Sequence, residues 1–198
     1  MLHTLRAKSL LQRGLYLEYV TLLWNVVGVI VVGIAAIRAN SVALAGFGLD
    51  SLIEIFASVV VIWHLRETGQ GSEKKALSLI GIAFLALAIY LVAQTGYTFY
   101  AGSQPQPSTL GMLWLAATCI AMLLLAWGKS VTGRELENPV LIAESRVTVI
   151  DAYLAAAVLA GVALNALFGW WWVDPLSGLV VVYYAATEGI AHWKEGCA

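Results

Sequence analysis

Charge is what this sequence has least of. Of its 198 residues, 12% are Asp, Glu, Lys or Arg and 61% are hydrophobic, whereas an ordinary soluble domain carries about 25% charged residues. Too little polar surface is left to coat a water-soluble globule, and the mean hydropathy is +0.83. Cysteine is nearly missing as well. Cys119 lies inside an apolar run and Cys197 in the tail, so no disulfide framework is implied. There is no low-complexity tract, no nucleotide-binding loop, no clear inverted repeat and no nucleophile–base pair or cofactor motif. An enzyme, a prosthetic group and a nucleic-acid partner are therefore not expected. The basic lead MLHTLRAKSLLQRG has no small-residue cleavage site after a short apolar stretch, so it reads as a cytoplasmic lead and not as a removed signal peptide.

What the chain does have is long apolar runs, each able to cross a hydrocarbon core of roughly 30 Å. Six are predicted, at about 16–37, 42–65, 76–101, 109–129, 139–168 and 173–193. They are continuous and do not alternate, which favours helices over a β-barrel. The expected fold is all-α: a polytopic membrane protein with six transmembrane helices in one domain spanning 1–198. The punctuation agrees. Asn40-Ser41 can cap the second helix, Gly69-Gln-Gly71-Ser72 is a flexible link, and 104–108 (QPQPS) breaks the third from the fourth. Asn138-Pro139 joins an N-cap to a proline at the first helical position, and Asp174-Pro175 is expected to start the sixth helix in the same manner. Gly169 ends the fifth.

Orientation follows from Lys and Arg. Arg6, Lys8 and Arg13 precede the first helix; Arg66, Lys74 and Lys75 lie between the second and third. Lys129 and Arg134 are assigned to the connection between the fourth and fifth, and Lys194 follows the sixth, whereas the opposite side has Arg38. Both termini are therefore placed in the cytoplasm, in an energised membrane, most simply a bacterial plasma membrane. Trp170, Trp171 and Trp172 read as an interfacial anchor in the outer turn. Ala152, Ala156 and Ala160, with Ala157 and Gly161, make small-residue faces for close helix packing.

Ionisable groups inside a bilayer cost about 2.5–3.5 kcal/mol each even on insertion scales, so each one needs a reason. Asp50 and Glu54 share one face of the second helix, one turn apart. Two readings are open for them: partners for Arg146 or protonated buried acids on one side, a cation site on the other. Glu144 and Asp151 share a face of the fifth helix, with Thr148 between them. At about 1.5 Å per residue, Glu54 and Glu144 lie roughly 10 Å from the cytoplasmic end, and Asp50 and Asp151 roughly 16–20 Å. Because the two helices are antiparallel, the pairs can meet as a cation-binding cluster. Arg146 is expected to snorkel to the surface or to neutralise one acid. Glu18 is placed at the membrane edge with a structural role, and Asn25 is expected to make a helix–helix hydrogen bond. His3, His64 and His192 read as interfacial. An oxygen-only site is hard, leaning toward Mn²⁺ or Fe²⁺ over soft-ligand zinc or copper.

The stretch Asn40-Ser-Val-Ala-Leu-Ala-Gly-Phe-Gly-Leu-Asp-Ser-Leu-Ile-Glu54 resembles the second helix of the cation diffusion facilitator (cation efflux) family. Asp50 and Glu54 fall on that family's two metal-ligand positions. Glu144 and Thr148 fall on the His and Asp of its fifth-helix His-x-x-x-Asp pair, and Trp171-Trp-Val-Asp-Pro175-Leu-Ser is similar to the start of its sixth helix. The resemblance implies a transporter exporting divalent metal from the cytoplasm in exchange for protons, with a tetrahedral-like site between helices two and five. Three departures stand out. Glu replaces Asp at 54 and His at 144. Thr148 replaces a ligand Asp, and Asp151 is expected to take over, leaving Thr148 as a weak ligand. The family's usual cytoplasmic domain is not expected in the five residues after helix six, so a homodimer would be held by membrane helices. Zn²⁺, Fe²⁺, Mn²⁺ and Co²⁺ are the candidate cargoes. The competing expectations are a non-transporting interaction or regulatory protein on the same fold, and a carrier of a monovalent or organic cation.

Overall fold

Along the first helix Tyr16, Leu23, Ile30 and Ile37 recur every seven residues and are all well exposed, while Glu18, Thr21, Asn25 and Val32 on the other side are buried. A helix that turns its apolar stripe outward and its polar stripe inward is built for a hydrocarbon surround, where the exposed face needs no water. The same inversion holds in the other helices. Ile89, Leu113, Ile120, Leu124 and Trp127 face outward, and Asp50, Ser58, Thr118, Thr132 and Asp151 face inward.

The computed structural model describes residues 2–66, 73–102 and 104–197, in six helices. They are α1 (Leu2–Ala39), α2 (Val42–Arg66), α3 (Glu73–Ala101), α4 (Thr109–Glu135), α5 (Pro139–Phe168) and α6 (Val173–Cys197). The glycine-rich link at 69–72 lies outside the described residues. So do the side chains of His3, His64, His192, Arg6, Arg66, Lys74 and Lys75. Among the described residues, five helices are long and apolar enough to cross a membrane by length and composition. The remaining one, α6, packs antiparallel to α3 along its whole length: Gly81 meets Gly189 and Trp193 at one end, Phe84 meets Tyr184, and Phe99 meets Trp171 at the other. It therefore traverses the same thickness as α3.

Two predicted ends are corrected. The basic lead is not a loop before α1; it is the start of α1, which begins at Leu2. The fourth helix does not stop at 129 but runs two further turns to Glu135, which carries Lys129 out of the connection and into the bundle.

The caps show how the outer end is tied together. There Ser41 accepts from the N–H of Leu44 at the start of α2, whereas at the opposite, inner end Asn138 accepts from Leu141 at the start of α5. Gly169, at φ 68°, takes the left-handed conformation that closes α5. Asp174 departs from the expected role. It sits inside the first turn of α6, and its carboxylate accepts instead from Ser41 Oγ (2.5 Å) and the Ala43 N–H (3.4 Å). An acid on one helix thus serves the N-terminus of another, where free N–H groups and the helix dipole favour negative charge.

Close approaches are made by small residues. A Cβ at Gly161 would come within 2.7 Å of the Ser177 Cβ, so α5 and α6 touch there. Ala152 faces inward as the small-residue pattern implies, but Ala156 and Ala160 are turned outward. Trp170 and Trp172 are stacked and partly exposed at the outer turn.

Candidate cation site between helices two and five

Residues Asp50, Glu54, Glu144, Thr148 and Asp151 are all buried, and all face the interior of the bundle. Four-residue spacing on α2 stacks Asp50 over Glu54 on one face. Asp151 on α5 faces both: the charges of Asp50 and Glu54 both bear on it, and those of Glu144 and Lys129 reach Glu54. The α2 acids and the α5 acids therefore lie across one seam. Asn25 on α1 donates from Nδ2 to Glu54 Oε2 at 2.9 Å and to the Thr21 carbonyl at 3.2 Å. That is the interhelical hydrogen bond expected of it, and it fixes one Glu54 oxygen.

The remaining oxygens stand alone. Both carboxylate oxygens of Asp50, both of Asp151 and Oε1 of Glu54 are buried with no hydrogen-bond partner among the described residues. Burying a polar atom without a partner costs a few kcal/mol, and buried charge costs more. Five such oxygens on three facing acids make a demand for positive charge that the surrounding side chains leave unmet. As placed, no three His, Cys, Asp or Glu groups among the described residues close on one metal ion. The acids face one another without being drawn to a common point.

The lower half of the cluster is different, because a lysine occupies it. Lys129 is fully buried, with its ammonium 3.2 Å from Glu18 Oε2 on α1 and 3.3 Å from Glu144 Oε1 on α5. It also donates to Thr148 Oγ1 at 3.1 Å. Thr148 in turn donates to the Glu144 carbonyl at 3.0 Å. Glu144 and Thr148 are thus held by Lys129, while Asp50, Glu54 and Asp151 are not.

This corrects two expectations and decides a third. Lys129 is not part of the charged connection between helices; it is the internal cation of the site. Glu18 is not at a membrane edge, since it is completely buried beside Lys129. Of the two courses open to Arg146, the structure shows the first: it turns to the surface, exposed, and lines an outward groove with Arg134. Residues two apart on a helix point about 200° apart, so with Glu144 turned in, Arg146 must turn out. A signal for Glu18 was also present. Glu18, Thr21 and Asn25 form a polar stripe at i, i+3 and i+7 on an otherwise apolar helix, a helical face directed at the interior. For Lys129 the signal was masked by Ser130, Thr132, Arg134 and Glu135, the polar residues that follow it.

Against known proteins, the model of the cation efflux transmembrane domain matches residues 19–197. Among curated relatives, magnetosome protein MamB of Magnetospira sp. is 24% identical over 169 residues, covering 80% of this chain and 57% of its own. The cadmium, cobalt and zinc/H(+)-K(+) antiporter of Bacillus subtilis is 26% identical over 180 residues, covering 84% and 57%. An uncharacterised transporter of Synechocystis sp. is 28% identical over 170 residues, covering 79% and 54%. The chain thus spans little more than half the length of the curated relatives it matches.

Proposed function

The chain belongs to the cation efflux family, a family of transporters and not of enzymes, and on that premise we propose that it moves a divalent metal ion across the membrane in exchange for protons. Asp50, Glu54 and Asp151 are the metal ligands in this reading. The observation that carries it is the set of five orphaned carboxylate oxygens on these three acids, buried where α2 meets α5. Carboxylate oxygens suit hard and borderline divalent ions. The antiporter relative, named for cadmium, cobalt and zinc, supports a divalent cargo.

Charge balance supplies the mechanism. Glu18, Asp50, Glu54, Glu144 and Asp151 are five buried carboxylates facing one buried ammonium, Lys129. Fully ionised, they would leave the interior four charges negative, which a low-dielectric bundle does not sustain. Protons make up the difference when no metal is bound, and a divalent ion replaces two of them. Metal entering from one side therefore releases protons, and protons entering from the other release metal. Asn25 orients Glu54. Lys129 keeps Glu144 and Thr148 engaged, so that the three unpaired acids are the ones that reach for the ion.

Flux into proteoliposomes with an imposed pH gradient tests this reading, with Zn²⁺, Fe²⁺, Mn²⁺ and Co²⁺ measured in parallel. Saturable, gradient-dependent flux that disappears in Asp50→Asn and Asp151→Asn is expected. Folded protein that carries none of the four ions would overturn transport in favour of an interaction or regulatory role on the same fold.

A further inference from the structure

An outward groove of about 420 Å³ runs along the seam of α4 and α5, on the side away from the acidic cluster. Its composition changes along the helix axes. Toward the middle of the bundle it is floored by Leu123, Ala126 and Val149; Trp127, Ser130 and Arg146 follow, and at the end that carries Lys8 and Arg13 it is closed by Arg134 and Ile142. Both arginines are exposed, they project from different helices, and the lining includes no carboxylate. Two guanidinium groups on one apolar-floored groove, in a protein surrounded by lipid, attract an anion at the level of the headgroups.

We propose that this groove binds one anionic phospholipid from the leaflet at the Lys/Arg-rich end. Its phosphate is held between Arg134 and Arg146, and an acyl chain lies over Leu123, Ala126 and Val149. Guanidinium groups pair with phosphate through two parallel N–H donors, and two of them on one groove favour an anion that both can contact. Ser130 adds a hydroxyl at the same level, and the Trp127 indole sits at the polar–apolar boundary where such rings are favoured. The apolar floor is what distinguishes a lipid from a free anion: inorganic phosphate would use the arginines and gain nothing from Leu123 or Val149. Because α4 and α5 also carry Lys129 and Glu144, a lipid seated here clamps the two helices that hold the internal ion pair. The inference does not depend on transport.

The test is retention of lipid by the purified full chain in detergent, measured by native mass spectrometry with phosphatidylglycerol, phosphatidylcholine and inorganic phosphate. One phosphatidylglycerol bound at least tenfold more tightly than phosphatidylcholine is expected, with that preference lost in Arg134→Gln/Arg146→Gln. Lys8→Gln/Arg13→Gln, on the same end but outside the groove, should keep it. Val149→Trp leaves both arginines in place and fills the floor, and it should lose the lipid too. Thermal unfolding of each variant confirms that it is folded. Equal retention by the arginine double variant overturns the site. Competition by millimolar phosphate, or full retention in Val149→Trp, overturns the lipid and leaves a simple anion site.

Discussion

The ammonium of Lys129 lies 3.2 Å from the carboxylate of Glu18, and neither side chain is exposed at all. Residues 111 positions apart on α4 and α1 thus place a full ion pair in the interior of a membrane bundle. A second acid, Glu144, shares the lysine at 3.3 Å. The pair divides five buried acids into a compensated group at the Lys/Arg-rich end and an uncompensated group nearer the middle.

Removing the lysine should therefore be costly. Lys129→Met leaves Glu18 and Glu144 buried without their cation, a loss expected at about 3–5 kcal/mol. Adding Glu144→Gln to the same chain should return part of it, because one of the stranded charges is gone. Thermal unfolding in detergent measures both; a single variant within 1 kcal/mol of the parent would show that water reaches the pair.

The uncompensated acids predict the opposite sign. Asp50→Asn removes one of three facing buried carboxylates, and the metal-free protein should gain about 1 kcal/mol, or about 2–4 °C in Tm for a chain of this size. The same substitution should abolish stabilisation by metal. The parent chain should gain about 2.7 kcal/mol at a metal concentration one hundred times Kd. A variant that is both less stable and still protected by metal would place the ion elsewhere.

At the outer end, Ser41 and Asp174 act on one helix terminus. Ser41→Ala and Asp174→Asn should each destabilise the chain by about 1–2 kcal/mol. The double variant should cost clearly less than their sum, since Asp174 accepts from the Ser41 hydroxyl itself. Additive losses would mean that the two residues cap independently.

Where α5 crosses α6, Gly161→Ala would drive a methyl group into Ser177, with a cost of about 1–3 kcal/mol. Ser177→Gly in the same chain should restore most of the loss by opening the space. An unrescued double variant would trace the defect to the helix backbone and not to the contact.

Much of the candidate site was legible before any tertiary contact was known. Asp50 and Glu54 share a face because they are four apart, Glu144 and Asp151 because they are seven apart, and rise per residue brings the two pairs to matching depths on antiparallel helices. The same arithmetic, applied to Glu144 and Arg146, turns the arginine outward. Lys129 was not legible. Its neighbours from Ser130 to Glu135 are polar enough to look like a connection, and a lysine inside a bilayer is acceptable only if an acid meets it. That acid, Glu18, comes from another helix, so nothing near position 129 announces it. Asp174 failed for a related reason: the local rule assigns an Asp-Pro pair to its own helix, whereas Ser41 and Ala43 are brought alongside only by the packing of α6 on α2.

Length, hydropathy and spacing thus suffice for what depends on the chain's local period: that it crosses a membrane as helices, where most of those helices end, and which side of each is polar. Which buried charge meets which is decided only by the tertiary structure. A charge in a low-dielectric interior is made tolerable by its nearest opposite charge, and that neighbour is set by how the helices pack.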